Sequence, residues 1–136
     1  LHVRSRRQRQ MCIRDRLNDA LDQVNWVGFY LIEGNELILG PFQGQPACVH
    51  IAIGKGVCGT AVSENTTQRV SDVHQFPGHI ACDANSQSEI VVPVRINNEV
   101  IGVLDIDAPI KDRFSQEDQD GLEQIVHILE KQLSQS

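Results

Sequence analysis

Glu89 to Pro109 reads EIVVPVRINNEVIGVLDIDAP, and this stretch decides the fold. Ile90 to Ile96 is dominated by β-branched residues and predicts one strand, and Val100 to Ile106 predicts another. Asn97 and Asn98 between them tolerate the positive φ that a tight hairpin turn needs. Pro93 has no amide donor, so its strand is expected to lie at an edge or a bulge there. Asp105 and Asp107 stand two apart, so on a strand both side chains leave the same face. Glu89 opens the neighbouring strand of the same hairpin.

Towards the N-terminus the pattern repeats. Trp26 to Ile32 (WVGFYLI) reads as a strand, Glu33-Gly34-Asn35-Glu36 as a turn, and Leu37 to Leu39 as the returning strand. Gly40, Pro41, Gly44 and Pro46 mark a loop, followed by a strand over Ala47 to Ile53. Gly54-Lys55-Gly56 breaks that strand, and Val57 to Asn65 suits a short helix. Residues 72–88 form the longest irregular stretch; loops of that length inside a domain are usually functional or disordered. Leu17, Leu21 and Val24 fall on one stripe of a helix, as do Leu122, Ile125, Val126, Leu129 and Leu133, the latter behind a Ser115 N-cap with Asp118 three residues on. Hairpins flanked by helices, without alternating βαβ units, predict an α+β domain around an antiparallel sheet.

At 136 residues, 40% of them hydrophobic, the chain has material for one core. No apolar run is long enough for a membrane span or a signal peptide, which leads us to expect a cytoplasmic protein. In that reducing setting four cysteines read as reactive or metal-binding rather than as structural staples. The net charge of −6 divides unevenly. Residues 1–16 (LHVRSRRQRQMCIRDR) hold six arginines against Asp15, leaving six basic and seventeen acidic groups for residues 17–136. So acidic a body disfavours nucleic acid as a partner. The basic head could be a nucleic-acid arm or a targeting peptide, but it resembles translated sequencing-adaptor read-through. We expect residues 1–16 to be non-native and Cys12 to belong to no mechanism.

The candidate chemistry rests on Cys48, Cys58 and Cys82, none of them in a CxxC pair. A buried cysteine is commonly just a small hydrophobe. Cys58, however, follows Gly54-Lys55-Gly56 near a helix N-terminus, where the helix dipole is expected to lower its thiol pKa. Cys82 sits in the long loop between His79 and Asp83. A zinc site drawn from Cys48, Cys58, Cys82, His50, His74 and His79 is the alternative, disfavoured by irregular spacing; we expect no metal. Glu89, Asp105 and Asp107 are expected to converge on paired strands. Crowded carboxylates raise one another's pKa, so one can stay protonated near neutral pH and act as a general acid. Trp26 and Tyr30 share a strand face, either as a core pair or as the wall of a small-molecule site in which Gly28 leaves room.

Taken together, NWVGFYL, LGPFQGQPACV, GKGVCGTA, DVHQFPGHIACDANSQSEIVVPV and IGVLDIDAP resemble the free methionine-(R)-sulfoxide reductases, which are single GAF domains. The resemblance runs from about Leu17 to Leu133. It implies a GAF-like antiparallel sheet with flanking helices and a central small-ligand pocket, over a domain of residues 17–136. That family carries further helical sequence ahead of the first strand, so the chain is expected to be truncated there. Cys82 would be the nucleophile, Cys48 the principal resolving cysteine and Cys58 a third redox cysteine. Glu89, Asp105 and Asp107 would bind the substrate's amino group and sulfoxide oxygen, and Trp26 and Tyr30 would enclose its methyl group. The resemblance also implies thioredoxin as the source of reducing equivalents, with no bound cofactor, and leaves room for a homodimer. The rival from another class is a non-catalytic GAF sensor module that binds a small ligand.

Overall fold

The computed structural model describes residues 22–45, 47–78 and 85–134. Six strands form one antiparallel sheet: β1 (Trp26–Glu33), β2 (Glu36–Gly44), β3 (His50–Ala52), β4 (Gln68–Val70), β5 (Ser88–Ile96) and β6 (Glu99–Ala108), in the spatial order β3-β2-β1-β6-β5-β4. Among the described residues two helices flank it, α1 (Gly56–Glu64) and α2 (Gln116–Ser134). A short 3₁₀ turn covers Val73–Gln75. The helix expected from Leu17 lies outside the described residues, apart from its last three positions. There Asp22 and Gln23 form a turn, and Gln23 has φ +62°.

The β5–β6 hairpin is as predicted, with Asn97 at φ +53° and Asn98 at φ +67°. Pro93 faces Val103 of β6, while β4 pairs only with Glu89 to Val91. The missing amide therefore falls beyond the β4 ladder, and a register shift follows at Val94/Arg95. β4 itself was not foreseen, because three residues are too few to show an alternation.

Two expected boundaries are corrected. The loop assigned to Gly40, Pro41 and Gly44 is strand, since β2 continues to Gly44. The register between β1 and β2 shifts between Gly28 and Tyr30, so Gly40 and Pro41 together oppose Phe29. The residues that looked like loop punctuation form a β-bulge. Conversely, the strand expected over Ala47 to Ile53 is ordered as strand only at His50–Ala52, an edge segment paired with Glu36 to Ile38.

The sheet is covered on both faces, which is why its central strands are nearly continuous apolar runs. One face presents Val27, Phe29, Ile90, Val92, Leu104 and Ile106 to Leu122, Val126, Leu129 and Leu133 of α2. This helix begins with a reciprocal cap. The Asp118 amide donates to Ser115 Oγ at 3.1 Å and the Ser115 amide to Asp118 Oδ2 at 3.0 Å. The other face carries Trp26, Tyr30, Val91 and Val103, packed against Val57, Cys58 and Ala61 of α1. Lys55 caps α1 without a side-chain bond, and Asn65 closes it at φ +52°. Among the described residues no helix is long and apolar enough to cross a membrane.

Candidate active site

Strand register builds the site. Trp26 stands opposite Asp107, and Asp107 opposite Glu89; one row further on, Gly28 stands opposite Asp105, and Asp105 opposite Val91. Residues in register share a face, so β1, β6 and β5 bring Trp26, Glu89, Asp105 and Asp107 to the α1 side of the sheet. Tyr30, two residues beyond Gly28, joins them there.

The acids are not a solvated strand end. Glu89 is 7% exposed and Asp105 4%. Asp105 lies close against Glu89, Asp107 and Cys58, and Glu89 close against Asp107. Carboxyl groups packed this closely and out of water repel one another when ionised, which favours a neutral acid within the trio. Burial pushes the Glu89 carboxyl well above the usual range, and the charge of Asp105 adds to the shift. Burial likewise raises Asp105, with Asp107 contributing.

Cys58 descends on this cluster from α1, and its sulfur lies within 4.8 Å of ligand atoms of both Glu89 and Asp105. Here an expectation is overturned. The helix N-terminus was to lower the Cys58 pKa, yet the thiol is pushed well up, first by burial and then by Asp105 and Glu89. Desolvation and nearby negative charge outweigh half a helix-dipole charge. Cys58 is a free, protonated thiol. The alternative zinc set is not assembled among the described residues. His50 pairs with Glu36 at 3.4 Å and His74 with Asp72 at 3.3 Å, both largely exposed and neither in the Cys58 cluster.

The two aromatic side chains meet on this face, and a third ring joins them. Trp26 and Tyr30 stack with centroids 5.9 Å apart, and Phe42 of β2 also stacks with Trp26, at 5.8 Å and 13°. Phe42 was missed because its segment read as loop; with β2 extended, it pairs with Gly28 and falls beside the indole. Gly28 was expected to leave room for a ligand. Its missing Cβ is filled by Trp26 itself, since a methyl there would overlap the indole and stand 2.7 Å from Phe42 Cβ. The polar tips of Trp26 and Tyr30 both point to the β2–β3 connection. Trp26 Nε1 donates to the Gln45 carbonyl at 3.0 Å, and the Tyr30 hydroxyl donates to the Cys48 carbonyl at 3.0 Å. Burial, together with the charge of Asp105, raises the Tyr30 phenol, which remains a neutral donor.

Cys48 is disulfide-bonded and half-buried. Cys82 lies outside the described residues, as do its neighbours His79 and Asp83 and the basic head with Cys12.

The GAF domain profile matches residues 13–133, starting inside the arginine-rich head. The chain is 58% identical over 118 residues to the free methionine-R-sulfoxide reductase of Escherichia coli K12, covering 87% of this chain and 72% of that protein. It superposes on the fRMsr of Staphylococcus aureus in complex with substrate, with a TM-score of 0.87 and 70% identity, covering 91% of this chain and 81% of that one. It also superposes on the free methionine-R-sulfoxide reductase of Neisseria meningitidis in complex with its substrate, with a TM-score of 0.92 and 40% identity, covering 96% and 80%. The curled antiparallel sheet, its two helices and these likenesses identify a GAF domain, and the chain belongs to the free methionine-R-sulfoxide reductase family.

Proposed function

We propose that this protein reduces free L-methionine-(R)-sulfoxide to L-methionine. The observation that carries the reading is the close-set Glu89–Asp105–Asp107 trio, with Glu89 and Asp105 buried and held well above the usual carboxyl range, beside Trp26 and Tyr30. A sulfoxide oxygen cannot leave sulfur as a bare oxyanion, and a carboxyl group held neutral supplies the proton. The remaining carboxylate charge suits the ammonium group of a free amino acid, which a peptide-bound residue lacks. Trp26 and Tyr30 supply an apolar surface for the methyl thioether.

In this mechanism the Cys82 sulfur attacks the sulfoxide sulfur while the trio protonates its oxygen. Methionine departs and the oxygen remains on Cys82 as a sulfenic acid. The Cys48 thiol then condenses with it, forming the Cys48–Cys82 disulfide and releasing water. The disulfide at Cys48, with Cys58 still free, is consistent with Cys48 as the principal resolving residue. Cys58 takes an auxiliary part at most, because a thiol held protonated is a poor nucleophile. Thioredoxin restores the dithiol by exchange, and this chemistry suits the reducing cytoplasm. No bound cofactor is required.

Purified protein with thioredoxin, its reductase and NADPH is expected to consume NADPH on addition of free L-methionine-(R)-sulfoxide, and poorly with the S epimer or with peptide-bound sulfoxide. Tight binding of the free sulfoxide without any turnover would instead assign a non-catalytic sensor.

A further inference from the structure

We propose that Tyr30 is a positioning residue for Cys48: its buried hydroxyl holds the backbone of the resolving cysteine in place for disulfide closure, beyond any contact of its ring with substrate. The inference rests on the reading of Cys48 as the resolving thiol. Tyr30 is 1% exposed, and its hydroxyl donates to the Cys48 carbonyl at 3.0 Å. If the connection swung away, this shielded hydrogen bond would be exchanged for one to water, at a net loss. The acceptor is the carbonyl and not the sulfur, so the bond is open to both redox states of Cys48.

Two further bonds leave the same segment little freedom. Trp26 Nε1 holds the Gln45 carbonyl at 3.0 Å, and the Leu39 amide holds the Val49 carbonyl at 2.9 Å. Cys48 itself is tied to the sheet by Tyr30. The aromatic pair therefore links the face that would receive the thioether to the strand connection that carries the second sulfur. In the closing step the Cys48 S–H and the sulfenic S–OH form an S–S bond and release one water. Its rate depends on how often the Cys48 sulfur is within reach, as for any intramolecular reaction.

Tyr30→Phe keeps the ring and removes only the donor. One net hydrogen bond corresponds to a change of about two- to tenfold in the held population. The first measurement needs no sulfoxide. Fully reduced protein is mixed with oxidised glutathione, and closure of the Cys48 disulfide, with release of two glutathione thiols, is followed by alkylation and mass. Closure about two- to tenfold slower in Tyr30→Phe is expected; equal rates would overturn the proposal. In the second, a single turnover with sulfoxide and dimedone is expected to trap more sulfenic acid per methionine released in Tyr30→Phe than in wild type, and an equal ratio would also overturn it. Alkylation of buried Cys58 in the same samples controls for general loosening. If Cys58 became accessible in step with slower closure, the effect would be structural and the positioning role would fall. A wild type that releases no methionine defeats the functional reading alone, and the glutathione measurement still decides this one.

Discussion

Gly28→Ala puts the smallest side chain where the structure has no space. The added carbon would overlap the Trp26 ring and stand 2.7 Å from Phe42 Cβ. Neither neighbour is a free chain end, because Phe42, Trp26 and Tyr30 form one continuous stack. Overpacking of this kind costs about 1–3 kcal/mol. If the indole tilts enough to lose its bond to the Gln45 carbonyl, a further 1 kcal/mol or so is lost. At roughly 4 °C per kcal/mol for a domain of this size, the melting temperature should fall by about 4–16 °C. The assay is thermal unfolding by circular dichroism, with emission of Trp26, the single tryptophan, as a local probe. Gly121→Ala on α2 is the matched control. Nothing lies within 4 Å of its added carbon, so better helix propensity should stabilise by about 0.5–1 kcal/mol. The reasoning is refuted if Gly28→Ala melts with wild type and leaves the Trp26 spectrum unchanged.

Three other outcomes are expected. Glu89 and Asp105 have folded pKa values raised above their unfolded ones, so the folded state binds more protons between the two values. Stability should therefore fall as pH rises above about 4. Asp105→Asn should flatten that fall in urea titrations at several pH values; an unchanged slope would argue against a desolvated acid. The same variant should raise KM for free methionine sulfoxide by about ten- to a hundredfold, the scale of one hydrogen bond to a charged group, and an unaltered KM would remove Asp105 from the site. Ser115→Ala breaks the reciprocal cap with Asp118 and should cost about 1 kcal/mol in equilibrium unfolding, while leaving kcat in place.

Much of this architecture was legible because it depends on periods. The pairing of Asp105 with Asp107 on one face and of Trp26 with Tyr30 on another strand follows from a two-residue repeat, and the Asn97-Asn98 turn from its φ requirement. What escaped depends on contacts between distant segments. Gly40 and Pro41 read as a loop because a bulge uses the same residues as a turn, and that misreading hid Phe42. The Cys58 pKa was misjudged because its local helix end is visible in sequence, whereas the carboxyl groups that surround it come from β5 and β6. The bonds from Trp26 and Tyr30 to backbone carbonyls of Gln45 and Cys48 have no sequence signature, since every residue offers a carbonyl.

The central claim is that one thiol takes the oxygen and another closes the disulfide. Counting methionine released per protein molecule, without any external reductant, tests it directly. Cys48→Ser is expected to release about one methionine per molecule and stop at a sulfenic acid, and Cys82→Ser to release none. Methionine release from Cys82→Ser at the wild-type level would contradict the account.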